Sequence, residues 1–401
     1  MNERRIISLD TVIMWVFLIY MITFHIFSYR AETLIISKIV MLLLISLLVL
    51  YFLAQRKFII GWRFFFVLSW NLIVIVGYFW APFPRDVFSR WMTVFQLTML
   101  FLLLSHFLDT EKKIKQVILS MTISYIVLGL YMIYSYGISL LFSGNLSRIG
   151  NEISRINTLG MSLAYGAVFG FYYFYTYKKK LMILPVGFLT LMSSFTGSRK
   201  AIIVIFIGIF LLMLQDIKLD RARFVRNLII VVVFFAILLS LASFDLVFTR
   251  LESALSVISG KGSVDRSTYL RMEMISTGFE QFLKRPIIGT GFDSFKYFWA
   301  KVSGNLTYSH NNYIELMVSG GLFALFIYYG TYIYLIKNIW RRKGNIAVLL
   351  LTILLVTLSI DMFVVSYLSK DTYIFLAICF SYVYIGNNQE LAKLSDDSDK
   401  D

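Results

Sequence analysis

The sequence is poor in the residues that build soluble catalytic centres. It holds one cysteine, three histidines, and 23 acidic residues against 38 basic ones. The lone Cys379 lies inside an apolar run, which excludes a disulfide framework and a thiolate metal site. No carboxylate pair and no group of metal-ligating residues stands out, so no metal and no cofactor is expected. No internal repeat is evident, which argues against the inverted-repeat plan of many transporters. Arg4 and Arg5 precede an apolar run that lacks a small-residue cleavage site, so the first span is expected to act as its own uncleaved targeting signal.

What the chain has is hydrocarbon. Its 401 residues are 59% hydrophobic and 17% aromatic, with a mean hydropathy of +0.76, far from the composition of a soluble domain. Apolar runs long enough for a helix to cross the bilayer recur along nearly the whole length. They fall at 11–27, 33–54, 58–80, 87–108, 115–135, 157–177, 181–196, 199–215, 226–244, 313–336, 345–365 and 371–386. The net charge of +15 would point to nucleic acid in a soluble protein. Here the cations gather in alternate connections: Arg4/Arg5, Arg56/Lys57/Arg63, Lys112/Lys113/Lys115, Lys178/Lys179/Lys180, Lys218/Arg221/Arg223/Arg226 and Lys337/Arg341/Arg342/Lys343. All six fall on one side of the twelve spans, and the positive-inside rule makes that side cytoplasmic. Nucleic acid is therefore not an expected partner; the lipid bilayer is. The predicted fold is an all-α polytopic membrane protein with about twelve transmembrane helices and one large, partly helical extracytoplasmic loop between spans nine and ten. Residues 1–244 carry spans one to nine, 245–312 the loop, 313–386 spans ten to twelve, and 387–401 a polar cytoplasmic tail expected to be disordered. Both termini are expected inside the cytoplasmic membrane.

Candidate functional residues are those that break this pattern. Arg199 and Lys200 open a span at its outer end, where two cations run against the orienting bias and against the helix dipole. In the loop, Leu270, Met274, Gly278/Phe279 and Phe282/Leu283 recur at helical spacing, with Asp265 or Ser267 placed to cap the start and Pro286 to force the end. Such an amphipathic helix is expected to lie on the outer membrane surface or to roof a cavity. It carries Arg266 and Arg271, with Lys284 and Arg285 at its far end. Paired arginines in a loop that does not cross the membrane suit the oxygens of a phosphate ligand. His310 lies between Ser309 and Asn311-Asn312 where the loop re-enters the bilayer, with Glu315 about a turn and a half later to orient or tune its ring. Histidine is the natural proton acceptor near neutral pH. His25 and His106, near span ends, read as interfacial rings, and Asp361 as a partner for an arginine or for Lys370.

Taken in order, these residues resemble the O-antigen ligase/polymerase superfamily of bacterial membrane glycosyltransferases. The resemblance runs through Arg271, Pro286-Ile287-Ile288-Gly289-Thr290-Gly291, His310-Asn311-Asn312-Tyr313-Ile314-Glu315 and Gly320-Gly321. A second stretch, Gly197-Ser198-Arg199-Lys200-Ala201, is similar to the family's segment at the start of an outer-facing span. A third, Arg148-Ile149-Gly150 with Asn157 and Gly160, is similar to the stretch before the sixth span. The resemblance implies an undecaprenyl-pyrophosphate-linked oligosaccharide on the outer leaflet, transferred to a sugar hydroxyl without metal or nucleotide sugar. It implies that Arg199 and Arg271 hold the pyrophosphate and that His310 activates or positions the attacking hydroxyl. Arg266, Lys200, Asn311, Glu315, Arg148 and Asn157 complete the set as substrate-binding candidates. Flippase and chain-length regulator proteins are the partners such an enzyme implies.

Within the superfamily the chain leans to a repeat-unit polymerase of the capsule or exopolysaccharide type. Its Arg148…Asn157 and Gly197-Ser198-Arg199-Lys200 stretches are closer to that group, and no extended C-terminal soluble domain suggests a protein acceptor. An O-antigen ligase shares the same motifs. A lipid-linked oligosaccharide flippase is a different class, but it calls for charges spread through the mid-membrane. A shape-and-division type cell-wall polymerase would rest on an outer-loop aspartate, Asp265 or Asp293, rather than on His310-Asn311.

Overall fold

In a computed structural model of the chain, residues 8–55, 61–138, 150, 153–216, 221–241, 266–342 and 344–398 are described. Arg4, Arg5, Arg56, Lys57, Arg148, Lys218, Asp265 and Lys343 lie outside them. Among the described residues every regular element is helical. The α-helices are α1 (Leu9–Phe27), α2 (Leu34–Gln55), α3 (Trp62–Val76), α4 (Pro84–Phe107), α5 (Glu111–Tyr136), α6 (Ile156–Thr176) and α7 (Ile183–Phe195). They continue with α8 (Arg199–Met213), α9 (Arg221–Leu241), α10 (Arg266–Lys284), α11 (Phe295–Ser303), α12 (Asn312–Trp340), α13 (Asn345–Ile360) and α14 (Lys370–Ser398).

Each of the twelve apolar runs falls on a helix, and α10 and α11 occupy the loop between the ninth and tenth. Among the described residues, six helices have the length and hydropathy to cross a bilayer: α1, α2, α3 with its short 3-10 extension to Phe79, α4, α5 and α12. The protein is an all-α polytopic membrane protein. Three expectations change at the ends of elements. The run 345–365 is helical only to Ile360, and Asp361 begins a turn. The last helix does not stop at 386 but continues to Ser398, because Glu390-Leu391-Ala392-Lys393-Leu394 are strong helix formers. His25 and His106 are buried rather than interfacial, with His106 Nδ1 2.9 Å from the Leu102 carbonyl.

The chain forms two compact units, one from Met1–Ala54 and Lys112–Lys261, the other from Gln55–Glu111 and Gly262–Asp401. In the first, α6 is the central helix, buried along most of its length against α7 and α8. Small residues allow this close approach: Gly166 lies against Tyr125 and Leu189, and Gly208 of α8 against Val168. In the second, the fully buried Trp70 of α3 is the hub. Its Nε1 donates to the Tyr373 hydroxyl at 3.0 Å, and its ring meets Phe292, Tyr328 and Tyr367.

The second unit also contains a broken helix. Gly321 interrupts α12 with φ 63° and ψ −154°, a conformation open to glycine alone. In an unbroken helix the carbonyls of Val318 and Ser319 would receive the amides of Leu322 and Phe323. Instead they accept from Thr290 N at 2.8 Å and Gly291 N at 2.9 Å. The displaced amides of Leu322 and Phe323 donate to the carbonyls of Pro286 and Ile287 at 2.8 and 3.3 Å. The Pro-x-x-Gly-x-Gly segment is thus spliced into the gap, and all four backbone groups stay satisfied, as burial near a membrane demands. The approach leaves no room for side chains. A Cβ on Gly289 would lie 2.5 Å from the Ser319 carbonyl carbon, and one on Gly321 2.5 Å from that of Ile287.

Candidate active site

The loop helix α10 starts at Arg266, ends at Lys284 and is followed by Arg285-Pro286, the predicted stop. Its inward face does not simply roof a cavity. Met274 packs with Phe295 and Trp299 of α11 and with Ile314 and Val318 of α12 in one apolar cluster, flanked by Leu270, Phe298 and Met317. The splice and this cluster fix α10, α11 and the first turns of α12 together. Arg271 is half-buried and Arg266 exposed on α10.

His310 sits on the corner that opens α12. Its backbone is left-handed, φ 57°, which costs a non-glycine residue energy and concentrates at functional sites. The ring packs against that of Tyr308, with centroids 4.3 Å apart and planes tilted by 52°. Ser309, Asn311 and Asn312 beside it are buried and tied down, while His310 itself is half-buried. Ser309 Oγ donates to the Asn311 carbonyl at 2.7 Å, and the Asn311 amide lies 3.3 Å from that hydroxyl. Asn311 Oδ1 caps α12 by accepting from Ile314 N at 3.1 Å. Glu315 Oε2 accepts from the Ser309 amide at 2.9 Å, so its carboxylate holds the turn one residue before the histidine.

Asn312 carries the heaviest structural duty. Its Nδ2 donates to the Tyr329 hydroxyl at 2.9 Å and to Asp361 Oδ2 at 3.2 Å. Its Oδ1 accepts from the amides of Ser366 and Tyr367 at 3.0 and 3.2 Å. Its own amide donates to the Asp361 carbonyl at 2.7 Å. Asp361 was expected to face an arginine or Lys370; its Oδ2 instead receives Tyr329 at 3.0 Å and Asn312. The acid closes a buried network that clamps the His310 corner to the turn after α13.

A charged cluster that the sequence reading passed over lies in the same unit. Arg90 of α4 donates to Asp293 at 2.5 Å, and Lys296 reaches Asp293 at 2.8 Å and Asp86 at 3.1 Å. Tyr297 donates to Asp86 and stacks on Phe83 at 3.6 Å. Burial pulls the Lys296 ammonium down, but hydrogen bonds and charge from Asp293 and Asp86 outweigh it and raise its pKa. The bond to Asp86 likewise raises the Tyr297 phenol. Asp293, like His310, has a left-handed backbone, φ 67°. Arg90 Nε is buried with no partner among the described residues. The missed signal was available: Arg85, Asp86 and Arg90 cluster at the start of the fourth span, the end that the predicted topology puts outside, against the charge bias.

In the first unit, Arg199 and Lys200 begin α8 at a corner made by Thr196-Gly197-Ser198. Arg199 is half-buried, and Lys200 is buried rather than reaching out to headgroups. Asn157 and Gly160 stand on the first turns of α6, which pack on that corner. A Cβ on Gly160 would meet Thr196 Oγ1 at 2.4 Å, and Ser193 Oγ donates to the Gly160 carbonyl at 3.0 Å. Two of the three resembling stretches therefore meet within this unit, while Arg148 lies outside the described residues. Arg271, Arg266, His310, Asn311 and Glu315 belong to the second unit.

No curated protein matches the chain. Residues 184–329 match the family profile Wzy_C, described as O-antigen ligase, a segment that includes Arg199, Arg271, His310 and Glu315. The match runs from α7 into α12, and over that segment the chain is similar to the O-antigen ligase family.

Proposed function

We propose that the protein is a membrane glycosyltransferase that polymerises undecaprenyl-pyrophosphate-linked oligosaccharide repeat units on the outer leaflet of the cytoplasmic membrane. The observation that carries this reading is the His310 corner: a half-buried imidazole held in a left-handed conformation on a buried, hydrogen-bonded frame. An imidazole fixed in this way suits a general base whose geometry matters more than its mobility.

In the reaction, the acceptor sugar hydroxyl attacks the anomeric carbon of the donor. The carbon–oxygen bond to the pyrophosphate breaks, the lipid pyrophosphate leaves, and the hydroxyl proton passes to His310. Attack opposite the leaving group inverts the anomeric centre. Arg271 and Arg199 bind the pyrophosphate and stabilise the charge that builds on it, a task the reading gives to guanidinium groups rather than to a metal. Arg266, Lys200 and Asn157 add contacts to the donor, while Asn311 and Glu315 hold the corner that presents the imidazole. Flippase and chain-length regulator proteins would act beside it.

A ligase reading is favoured by the description of the matching family. Deleting the gene and resolving surface glycan by gel electrophoresis separates the two. Loss of a polymerase leaves single repeats, whereas loss of a ligase leaves long chains on the carrier lipid. Complementation with His310→Ala, Arg199→Ala or Arg271→Ala, each at normal expression, should fail. Full activity of all three variants would overturn the site.

A further inference from the structure

The helix α10 has two apolar faces, and only one is used inside the protein. Met274 and Phe282 are buried on the inner face. Met272, Ile275, Phe279 and Leu283 form a second stripe at helical spacing, and all four are exposed. The charged residues Arg266, Glu280 and Lys284 keep to a separate exposed ridge. A soluble loop helix has no reason to expose a full apolar stripe beside its polar one.

The stripe does not end with the helix. It continues into exposed Ile287, whose carbonyl accepts the amide of Phe323. Phe323, with Phe326 and Ile333 beyond it, is exposed on α12, a helix long and apolar enough to span the bilayer. Exposed phenylalanines on a spanning helix face lipid. The α10 stripe is therefore one end of an apolar ribbon whose other end is in hydrocarbon. Arg271 stands at its edge: Ile275, four residues on, is in the stripe, and Met274, three residues on, is in the core.

We infer that α10 is a lipid-docking helix: the stripe Met272, Ile275, Phe279, Leu283 and Ile287 seats the hydrocarbon chain of the polyprenyl-linked donor, leading its pyrophosphate to Arg271. This rests on the donor class proposed above. The chain lies along the helix and the charged head meets Arg271 at the seam, so the same element selects for a long lipid and for an anionic head.

The test is binding of undecaprenyl pyrophosphate and of geranyl pyrophosphate, a ten-carbon analogue, to the full chain in phosphatidylcholine nanodiscs. Wild type should bind the long chain more tightly. Phe279→Gln/Leu283→Gln changes exposed positions only, so the fold should survive, as a thermal melt will check. The double variant should weaken undecaprenyl pyrophosphate about tenfold, the scale for losing part of two large apolar contacts, and leave geranyl pyrophosphate unchanged. Arg271→Ala should weaken both equally. An unaltered long-chain affinity in the double variant, or an equal loss for both ligands, overturns the inference and points to bulk lipid or to α10 folding. If wild type binds neither pyrophosphate while folded, the donor reading itself falls.

Discussion

The two units open one candidate helix each by the same local device, and the difference between the two corners separates chemistry from scaffolding. At Thr196-Gly197-Ser198 and at Ser309-His310-Asn311, a hydroxyl residue precedes a left-handed residue, with φ 58° at Gly197 and 57° at His310. In both, the amide of the next residue turns back to that hydroxyl at 3.3 Å, and a helix follows. In the first unit the left-handed position is glycine, which adopts it freely, and the functional candidate is Arg199 one step into the helix. In the second it is the histidine itself. Like Lys178 and Asp293, that histidine accepts the conformation at a cost.

Exchanging that residue gives the largest effect. His310→Gly should relieve about 1–2 kcal/mol of backbone strain and raise the melting temperature, yet lower glycan transfer by roughly a hundred- to ten-thousandfold, the range for loss of a general base. His310→Ala should lose activity as fully while keeping the strain. Stability follows the backbone and activity follows the ring, so the pair separates folding from chemistry. Gly197→Ala is the mirror experiment: the same 1–2 kcal/mol should be lost, read as a lower melting temperature. If His310→Gly is less stable than wild type, the two corners are not equivalent in strain and the comparison breaks.

The second difference is how far each corner is tied to distant chain. Asn312 spends both ends of its side chain on residues 329, 361, 366 and 367. Asn312→Ala would orphan two buried amides, with an expected loss of about 2–6 kcal/mol at 1–3 kcal/mol for each unsatisfied group. Transfer should slow as the His310 corner loosens, with kcat falling more than KM rises. A variant that melts as wild type does would show that the turn after α13 does not clamp the corner.

These particulars also mark what the sequence made legible. The helices were readable because an apolar run that must cross hydrocarbon has few alternatives to helix, and each of the twelve runs lies on one. Arg271 and His310 stood out because a cation and an imidazole are costly beside a bilayer. The splice at Gly321 was not readable, since its hydrogen bonds exchange partners between segments some thirty residues apart, and no local pattern encodes that. Gly289 and Gly321 stood out as members of the resembling motif, but they are sites of backbone contact. Asp361 was given the wrong partner because an acid in a span suggests a cation, whereas here a hydroxyl and an amide donate to its Oδ2. Arg90 and Asp293 were missed as a pair because one lies in a span and the other in the loop.

The smallest expected effect concerns the caps themselves. Asn311 accepts the Ile314 amide and so satisfies one of the free donors at the start of α12. Ser198 holds the equivalent place at the start of α8 but makes no side-chain cap bond, and its buried Oγ has no partner among the described residues. Replacing a working cap costs about 1 kcal/mol, so Asn311→Ala should lower stability by that amount. A buried hydroxyl without a partner carries a desolvation penalty, so Ser198→Ala should be neutral or slightly stabilising, within about 0.5 kcal/mol. Denaturation of the two variants side by side decides the matter. Equal losses would mean that Ser198 caps α8 in solution, and the first corner would then be as fully bonded as the second. Unequal losses would leave the Arg199 corner the looser of the two, free to adjust when an anion arrives. The His310 corner would stay the fixed one.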